Sequence, residues 1–389
     1  MQAGRSVMAQ LMDFVPKHEF DKCVQRYGGD KCVRSLSCCS QFLAMCFAQL
    51  TGRESLRDIE TCLRAVGPKL YHAGLRSPPP KSTLADANEK RDWRIFADFG
   101  RALIAQAARL YADDPLGVEL AGAAYALDST TVDLCLTVFP WAKYKQTRGG
   151  LKMHTLLALR GNFPAWVIVT PAQIHDVGLL AELALEPGAF YVMDRGHVDF
   201  AQFHRTHQAP AFFLTQAKRN LSFRRRSSAP ADKGRGIRFD QTGVLAEPAS
   251  RRRYPDTLRR VGYRDPERGR RLVFLTNNTT MPAADIAQLY RRRWQIELFF
   301  RWIKQHLRIK AFYGTSPNAV KTQIWIAICT YVLVAIVRKR LGLADSLYTI
   351  LQILSVTLFE KTPILQALSL MPCADLRAGP SNQLYLQGI

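Results

Sequence analysis

From about residue 280 to 310 the chain spells a helix that is apolar over most of its circumference. Leu289, Trp294, Ile296, Leu298, Phe299, Phe300, Trp302 and Ile303 crowd it, with Thr280 as a candidate N-cap and Pro282 in the first turn. Tyr290, Arg293, Glu297 and Lys304 share the remaining arc, which is about 60° wide at 3.6 residues per turn. Such a helix has to be enclosed by protein, so the fold must be built around it. A polar stripe on an enclosed helix is costly unless its charges are paired or used. Arg293 and Glu297, four residues apart, would pair on any helix. An internal ion-pair network with Lys304 and a functional site therefore both remain open at this point.

The segment before that helix reads as alternating strands and helices. Ala124–Asp128 and Ala189–Asp194 are apolar runs that each end in a carboxylate. His154–Arg160 and Ala165–Thr170 read as two strands joined by a turn at 161–164, and Ala211–Thr215 as a further short strand. Residues 181–185 read as the end of a short helix. Carboxylates at the ends of central strands sit at a sheet edge, where sites of α/β folds gather. If the long helix crosses that edge, Glu297 joins Asp128 and Asp194. Three clustered carboxylates repel one another unless cations bind. Hard oxygen donors favour Mg²⁺, with Mn²⁺ as a substitute. Two such ions about 4 Å apart suit phosphoryl transfer.

The flanks differ in texture. Residues 1–115 read as a helical unit, with helix-like spacing over Phe42–Leu50 and Ile59–Val66, three prolines at 78–80 and a helix start at Ser82-Thr83. DNA binding and plain scaffolding both suit it. Residues 218–276 are rich in Arg, Ser, Gly and Pro, with basic triplets at Arg224–Arg226 and Arg251–Arg253. A basic β-rich insertion and a disordered basic loop both fit this composition. The run Ile324–Val337 is nearly all apolar and short for a bilayer span, which needs about 20 residues; it reads as a buried core helix. The final segment is helical, with a tail after Ala378.

With 54 Lys and Arg against 32 Asp and Glu, the chain carries a formal charge of +22, which favours a polyanionic partner. Six of the nine cysteines lie in the first 62 residues, none in a C-x2-C pair, so zinc-ligand spacing is absent. The odd count and the lack of a signal peptide point to reduced thiols in a cytosol.

Tyr290, Arg293, Glu297 and Lys304 stand in the spacing Y-x2-R-x3-E-x6-K. That pattern, with YRRRWQIELFFRWIKQHLRIKAFYGTS around it, LDSTTVDLCLTVFPWAKYK around Asp128 and YVMDRGHVDF around Asp194, resembles the DDE insertion-sequence transposases of the YREK-signature, insertion-sequence-4-type group. The likeness extends to the N-terminal segments SVMAQLMDFVP and AQLTGRESLRDIE. The resemblance implies an α/β fold whose RNase H-like catalytic core is interrupted by a β-rich insertion, with a helical N-terminal domain and a helical C-terminal segment. The corresponding divisions are 1–115 (DNA-binding), 116–217 and 277–335 (core), 218–276 (insertion) and 336–389 (C-terminal segment and tail). It implies Asp128, Asp194 and Glu297 as catalytic metal ligands, and Tyr290, Arg293 and Lys304 as DNA contacts. The implied activity is Mg²⁺-dependent cleavage at transposon ends and strand transfer into target DNA. The implied partners are double-stranded DNA and a second copy in a homodimer on DNA, with no membrane, in the bacterial cytosol or nucleoid.

One position departs from the pattern: His197 stands three residues after the second Asp, where the family usually has an aromatic, commonly Tyr. This leaves open an inactive transposase remnant that only binds DNA, beside a nuclease that only hydrolyses. Lys143, Lys145, Arg148 and Lys152 form a basic run after the first strand, readable as a DNA contact or as a solvated face. His154 reads as a core histidine, and His175-Asp176 as a possible supporting pair or a helix start. Ser129 and Thr130 lack the His and Asp partners of serine chemistry.

Overall fold

A computed structural model describes residues 4–174, 183–267, 269–307 and 312–369. The His175-Asp176 reading, residues 181–182, the end of the long helix at 308–310 and the tail lie outside them, and the described residues 183–185 are not helical.

The N-terminal third is helical: α1 (Val7–Met12), α2 (Lys17–Arg26), α3 (Cys38–Thr51), α4 (Leu56–Ala65), α5 (Gly67–Ala73), α6 (Lys81–Lys90) and α7 (Arg94–Leu110). Ser37 and Ser55 cap α3 and α4 through their hydroxyl groups. Helix α6 starts at Lys81, directly after the three prolines, because the fixed φ of Pro80 leads into a helix without needing its missing N–H.

Ten strands then build one sheet: β1 (Ala124–Leu134), β2 (Lys143–Lys145), β3 (Arg148–Ala158), β4 (Phe163–Pro171), β5 (Phe190–Met193), β6 (Phe212–Gln216), β7 (Phe223–Ala229), β8 (Ile237–Leu245), β9 (Leu258–Arg264) and β10 (Arg271–Thr276). The order is β2-β3-β1-β5-β6-β10-β9-β8-β7, with β4 also on β3. Strands β1, β5 and β6 run parallel; the other pairings are antiparallel. This mixed α/β arrangement is consistent with an RNase H-like core. The stretch 218–276 carries β7–β10, which continue the same sheet through the β6–β10 pairing. Helix α8 (Phe200–Gln208) follows β5, and α9 (Pro248–Arg253) joins β8 to β9.

Strand β1 is longer than the apolar run alone indicates. Its parallel pairing with β5 stops at Leu127, but its antiparallel pairing with β3 continues to Leu134. Asp128 therefore lies inside a strand yet just beyond the parallel pairing. The sequence pattern shows only the part buried on both faces. Strand β3 likewise starts earlier than expected, at Arg148.

The long helix is two helices. Helix α10 (Ala283–Arg292) starts after Pro282 rather than Thr280, and α11 (Trp294–Leu307) follows a turn at Arg293. The Arg293 N–H donates to Tyr290 O, and Ile296 N–H to Arg293 O, so the chain tightens there to three-residue spacing. Its outer side is less enclosed than the pattern suggested: Trp294 is 48% exposed.

Helix α12 (Pro317–Arg340) is the hub, followed by α13 (Leu347–Thr357) and α14 (Ile364–Leu368). Its 24 residues would suffice to cross a bilayer, but 94% of its most apolar window is buried inside the protein. Burial, rather than shortness, is what makes it a core helix. Helices α3, α6, α7, α11 and α13 and strand β4 pack on it. One continuous apolar core thus runs from Val7 to Leu368, and α12 passes through residue 335, where the sequence reading set a division. The other sheet face has a separate core with Leu127, Leu156, Tyr191, Met193, Phe203 and Phe213.

Candidate active site

The period of two along β1 and β5 decides which side chains meet. Ala124 and Ala126 on β1, and Phe190 and Val192 on β5, face the helical core. Continuing each series by two reaches Asp128 and Asp194. The register pairs Leu127 with Met193, so the two aspartates are the next residues on from that pair, on adjacent strands and one face. Helix α11 packs against β1 and carries Glu297 to the same region.

The cation among these carboxylates is Arg293. Its Nη2 donates to Glu297 Oε1 at 2.6 Å, and its Nη1 lies 3.5 Å from Asp128 Oδ2. The guanidinium carbon is 5.8 Å from the Tyr290 ring centroid. The Nε–H of Arg293 is buried with no acceptor. The four stripe residues meet this environment unequally, for Lys304 is exposed to solvent while Tyr290 packs on Phe274 at 4.7 Å between centroids.

The two aspartates differ in electrostatics. Burial pushes the Asp128 carboxyl up from its usual range, against the Ser129 N–H donating to its Oδ1 at 2.8 Å. Asp194 is held below its usual range, chiefly by the hydrogen bond from His197. His197 Nδ1 lies 2.9 Å from Asp194 Oδ1, which also accepts from Gly196 N–H at 2.7 Å. Asp194 thereby caps the 3-10 turn Arg195–His197, in which His197 is buried to 5% exposure. The Thr215 hydroxyl on β6 donates to the Asp194 carbonyl.

Hard carboxylate oxygens suit a divalent ion. However, among the described residues no three His, Cys, Asp or Glu side chains stand close enough to hold one together. Glu297 is turned to Arg293 instead. The arrangement follows from charge: in a part-buried cluster the carboxylates require a cation, and Arg293 supplies it.

Beside Asp194 opens a cleft of about 600 Å³, lined also by Arg195, Gln216, Lys218, Arg219, Tyr290 and Arg293. Sequence reasoning passed over Arg195, Lys218 and Arg219. Lys218 and Arg219 directly follow β6, whose end lies at the same sheet edge as those of β1 and β5, and that position was the available signal. The other basic residues are dispersed. Lys143 and Lys145 are exposed on β2. Lys152 pairs with Thr131 across β1–β3, which sets it on the sheet face opposite Asp128. His154 is a core histidine, 3% exposed, with its Nε2 3.0 Å from Thr170 Oγ1.

Comparison with known proteins identifies a family. Residues 121–333 match the family model described as a transposase DDE domain, and residues 3–76 match a domain of unknown function. A sequence from Sinorhizobium fredii described as a transposase is 32% identical over 290 residues, covering 74% of this chain and 79% of its own length. One from Geobacillus stearothermophilus, described as a transposase for an insertion-sequence element, is 31% identical over 53% of this chain and 54% of its own. Among solved structures, a piggyBac transposase synaptic complex with hairpin DNA covers 95% of this chain and 82% of that chain at 12% identity and a TM-score of 0.43.

Proposed function

This chain belongs to the transposase DDE family, and from that premise we propose that it cuts DNA at transposon ends and joins the freed ends to target DNA, using Asp128, Asp194 and Glu297 as ligands for Mg²⁺. Transposase DDE domains generally use divalent metal ions. The observation that carries the reading is the common face and edge of Asp128 and Asp194, with the Glu297 helix packed on β1. We assign the chain to the YREK-signature group on the spacing of Tyr290, Arg293, Glu297 and Lys304.

When bound, the metal would activate the attacking oxygen and neutralise charge on the leaving one. The protein's own part is positioning. His197 and the Gly196 N–H hold the Asp194 carboxylate in one orientation. Arg293 offers a planar fork to a phosphate, Lys304 a mobile point charge, and Tyr290 a ring beside them. Lys143 and Lys145 offer further backbone contacts, while Lys152 would have to act from the far face. The helices of residues 1–115 would read end DNA, with the basic strands of 218–276 as a clamp and a second copy completing a dimer on paired ends. The net charge of +22 supports an extended DNA path.

Incubating the chain with Mg²⁺ and paired-end DNA tests the reading, scoring nicks at the ends and joining of a pre-cut 3′-OH end to a target. Nicking without joining would favour a purely hydrolytic nuclease. Specific binding with neither would favour an inactive remnant, the reading that His197 in place of an aromatic motivates.

A further inference from the structure

Arg293 is incompletely satisfied. One N–H group is committed to Glu297, and its Nε–H is buried with no acceptor. A buried donor left unpaired costs on the order of 1–3 kcal/mol, so an additional acceptor would be favoured there. The neighbouring cleft supplies the setting. Arg195, Lys218 and Arg219 are exposed on its walls, and none forms an ion pair among the described residues. Asp194 is the sole carboxylate among the cleft's described lining residues, against four cations including Arg293. Several unpaired cations around an open cleft, with one part-occupied guanidinium fork among its lining residues, select a phosphodiester.

We propose that this cleft is a phosphodiester-binding site whose occupation draws Arg293 off Glu297, so that DNA binding releases Glu297 to join Asp128 and Asp194. The inference rests on the reading above, that the ligand is DNA and the carboxylates bind a divalent ion. It accounts for the lack of a three-donor cluster among the described residues: Arg293 neutralises the carboxylates until a phosphate competes for it. A guanidinium paired to Glu297 through Nη2 cannot present that same N–H to a phosphate. Metal and DNA therefore favour one state of Arg293 together, and linkage requires that each raise the affinity of the other equally.

The test uses the full chain, a short fluorescein-labelled DNA duplex, and Ca²⁺ as the hard divalent probe, at constant ionic strength because salt alone alters DNA binding. Anisotropy in EDTA and in Ca²⁺ gives the two affinities. Wild type should bind about ten-fold more tightly in Ca²⁺, in the usual range of coupling between sites. Glu297→Gln should bind more tightly than wild type in EDTA, because Arg293 is already released. That gain should vanish when Arg293→Gln is also present, whereas simple loss of a negative charge would persist. The double variant Lys218→Ala/Arg219→Ala should bind less tightly in both conditions. Mn²⁺ alone, followed by the electron paramagnetic resonance of the free ion, should bind Arg293→Gln more tightly than wild type.

An EDTA affinity of Glu297→Gln no higher than wild type overturns the coupling, as does a gain that survives in the Arg293→Gln background. Unchanged binding by the Lys218/Arg219 variant overturns the cleft as the phosphate site. Failure of wild type to bind or cut DNA at all would instead remove the functional reading on which the inference rests.

Discussion

Arg293 donates to Glu297 across 2.6 Å while lying 3.5 Å from Asp128, so one guanidinium bridges a helix carboxylate and a strand carboxylate. In the reading above both carboxylates are metal ligands. Glu297→Gln keeps the shape and removes the charge. It should abolish Mg²⁺-dependent nicking of end DNA while retaining DNA binding, compared by gel assay and anisotropy. Wild-type cutting by this variant would remove Glu297 from the catalytic set.

His197 holds Asp194 through one hydrogen bond, and that bond is the chief cause of the depressed Asp194 carboxyl. A carboxylate whose folded value lies below its unfolded value, about 3.9, contributes stability above that pH and loses it as pH falls through the folded value. His197→Ala should therefore reduce stability slightly at neutral pH and flatten its decline as pH falls below about 5. Urea unfolding at several pH values reads this slope. An unchanged acid limb would mean that the bond does not hold Asp194.

Asp128 is shifted the other way, by burial. A folded value above the unfolded one means that stability is lost as pH rises through the folded value, so the ionised group is a net burden at neutral pH. Asp128→Asn retains an acceptor for the Ser129 N–H without the charge. It should raise thermal stability by about 1 kcal/mol, the scale of commonly found stabilising changes, while eliminating cleavage. A lowered melting temperature in differential scanning fluorimetry would show that the Arg293 contact outweighs the burial.

Arg259 and Asp240 form a two-pronged pair at 2.6 and 2.8 Å, each less than a tenth exposed, and Arg259 Nη1 also donates to the Met281 carbonyl just before α10. The pair ties β8 and β9 to the start of the helix leading to Arg293. Asp240→Ala leaves a buried cation and should cost about 3–5 kcal/mol, measured by chemical denaturation. Replacing both partners, Asp240→Leu with Arg259→Met, should recover most of that loss.

The excess of basic residues predicts a steep salt dependence. Each phosphate neutralised contributes a slope of about −0.9 to log K against log salt on duplex DNA. Lys304→Ala should lower the slope by about one if its exposed amine contacts a phosphate. An identical slope would take Lys304 out of the DNA path.

The apolar periods alone gave the strand–helix order, the buried helix at 324–337 and the four-residue polar stripe, because burial imposes its spacing locally. They also brought out Asp128 and Asp194 as carboxylates following apolar runs. Where β1 really ends was illegible, since its second half is held by pairing with β3 rather than by burial on both faces. The break at Arg293 was illegible too, because tightening by one hydrogen bond leaves the apolar period nearly intact.

The polar stripe of Tyr290, Arg293, Glu297 and Lys304 shows the division best. Sequence determined that Arg293 and Glu297 share a helix face and would pair, a consequence of four-residue spacing. Only the tertiary structure decided that Asp128 meets the same guanidinium, and that Arg195, Lys218 and Arg219 stand around the cleft with Arg293. Those contacts join residues far apart along the chain. They depend on strand register and helix packing, to which no local spacing is sensitive.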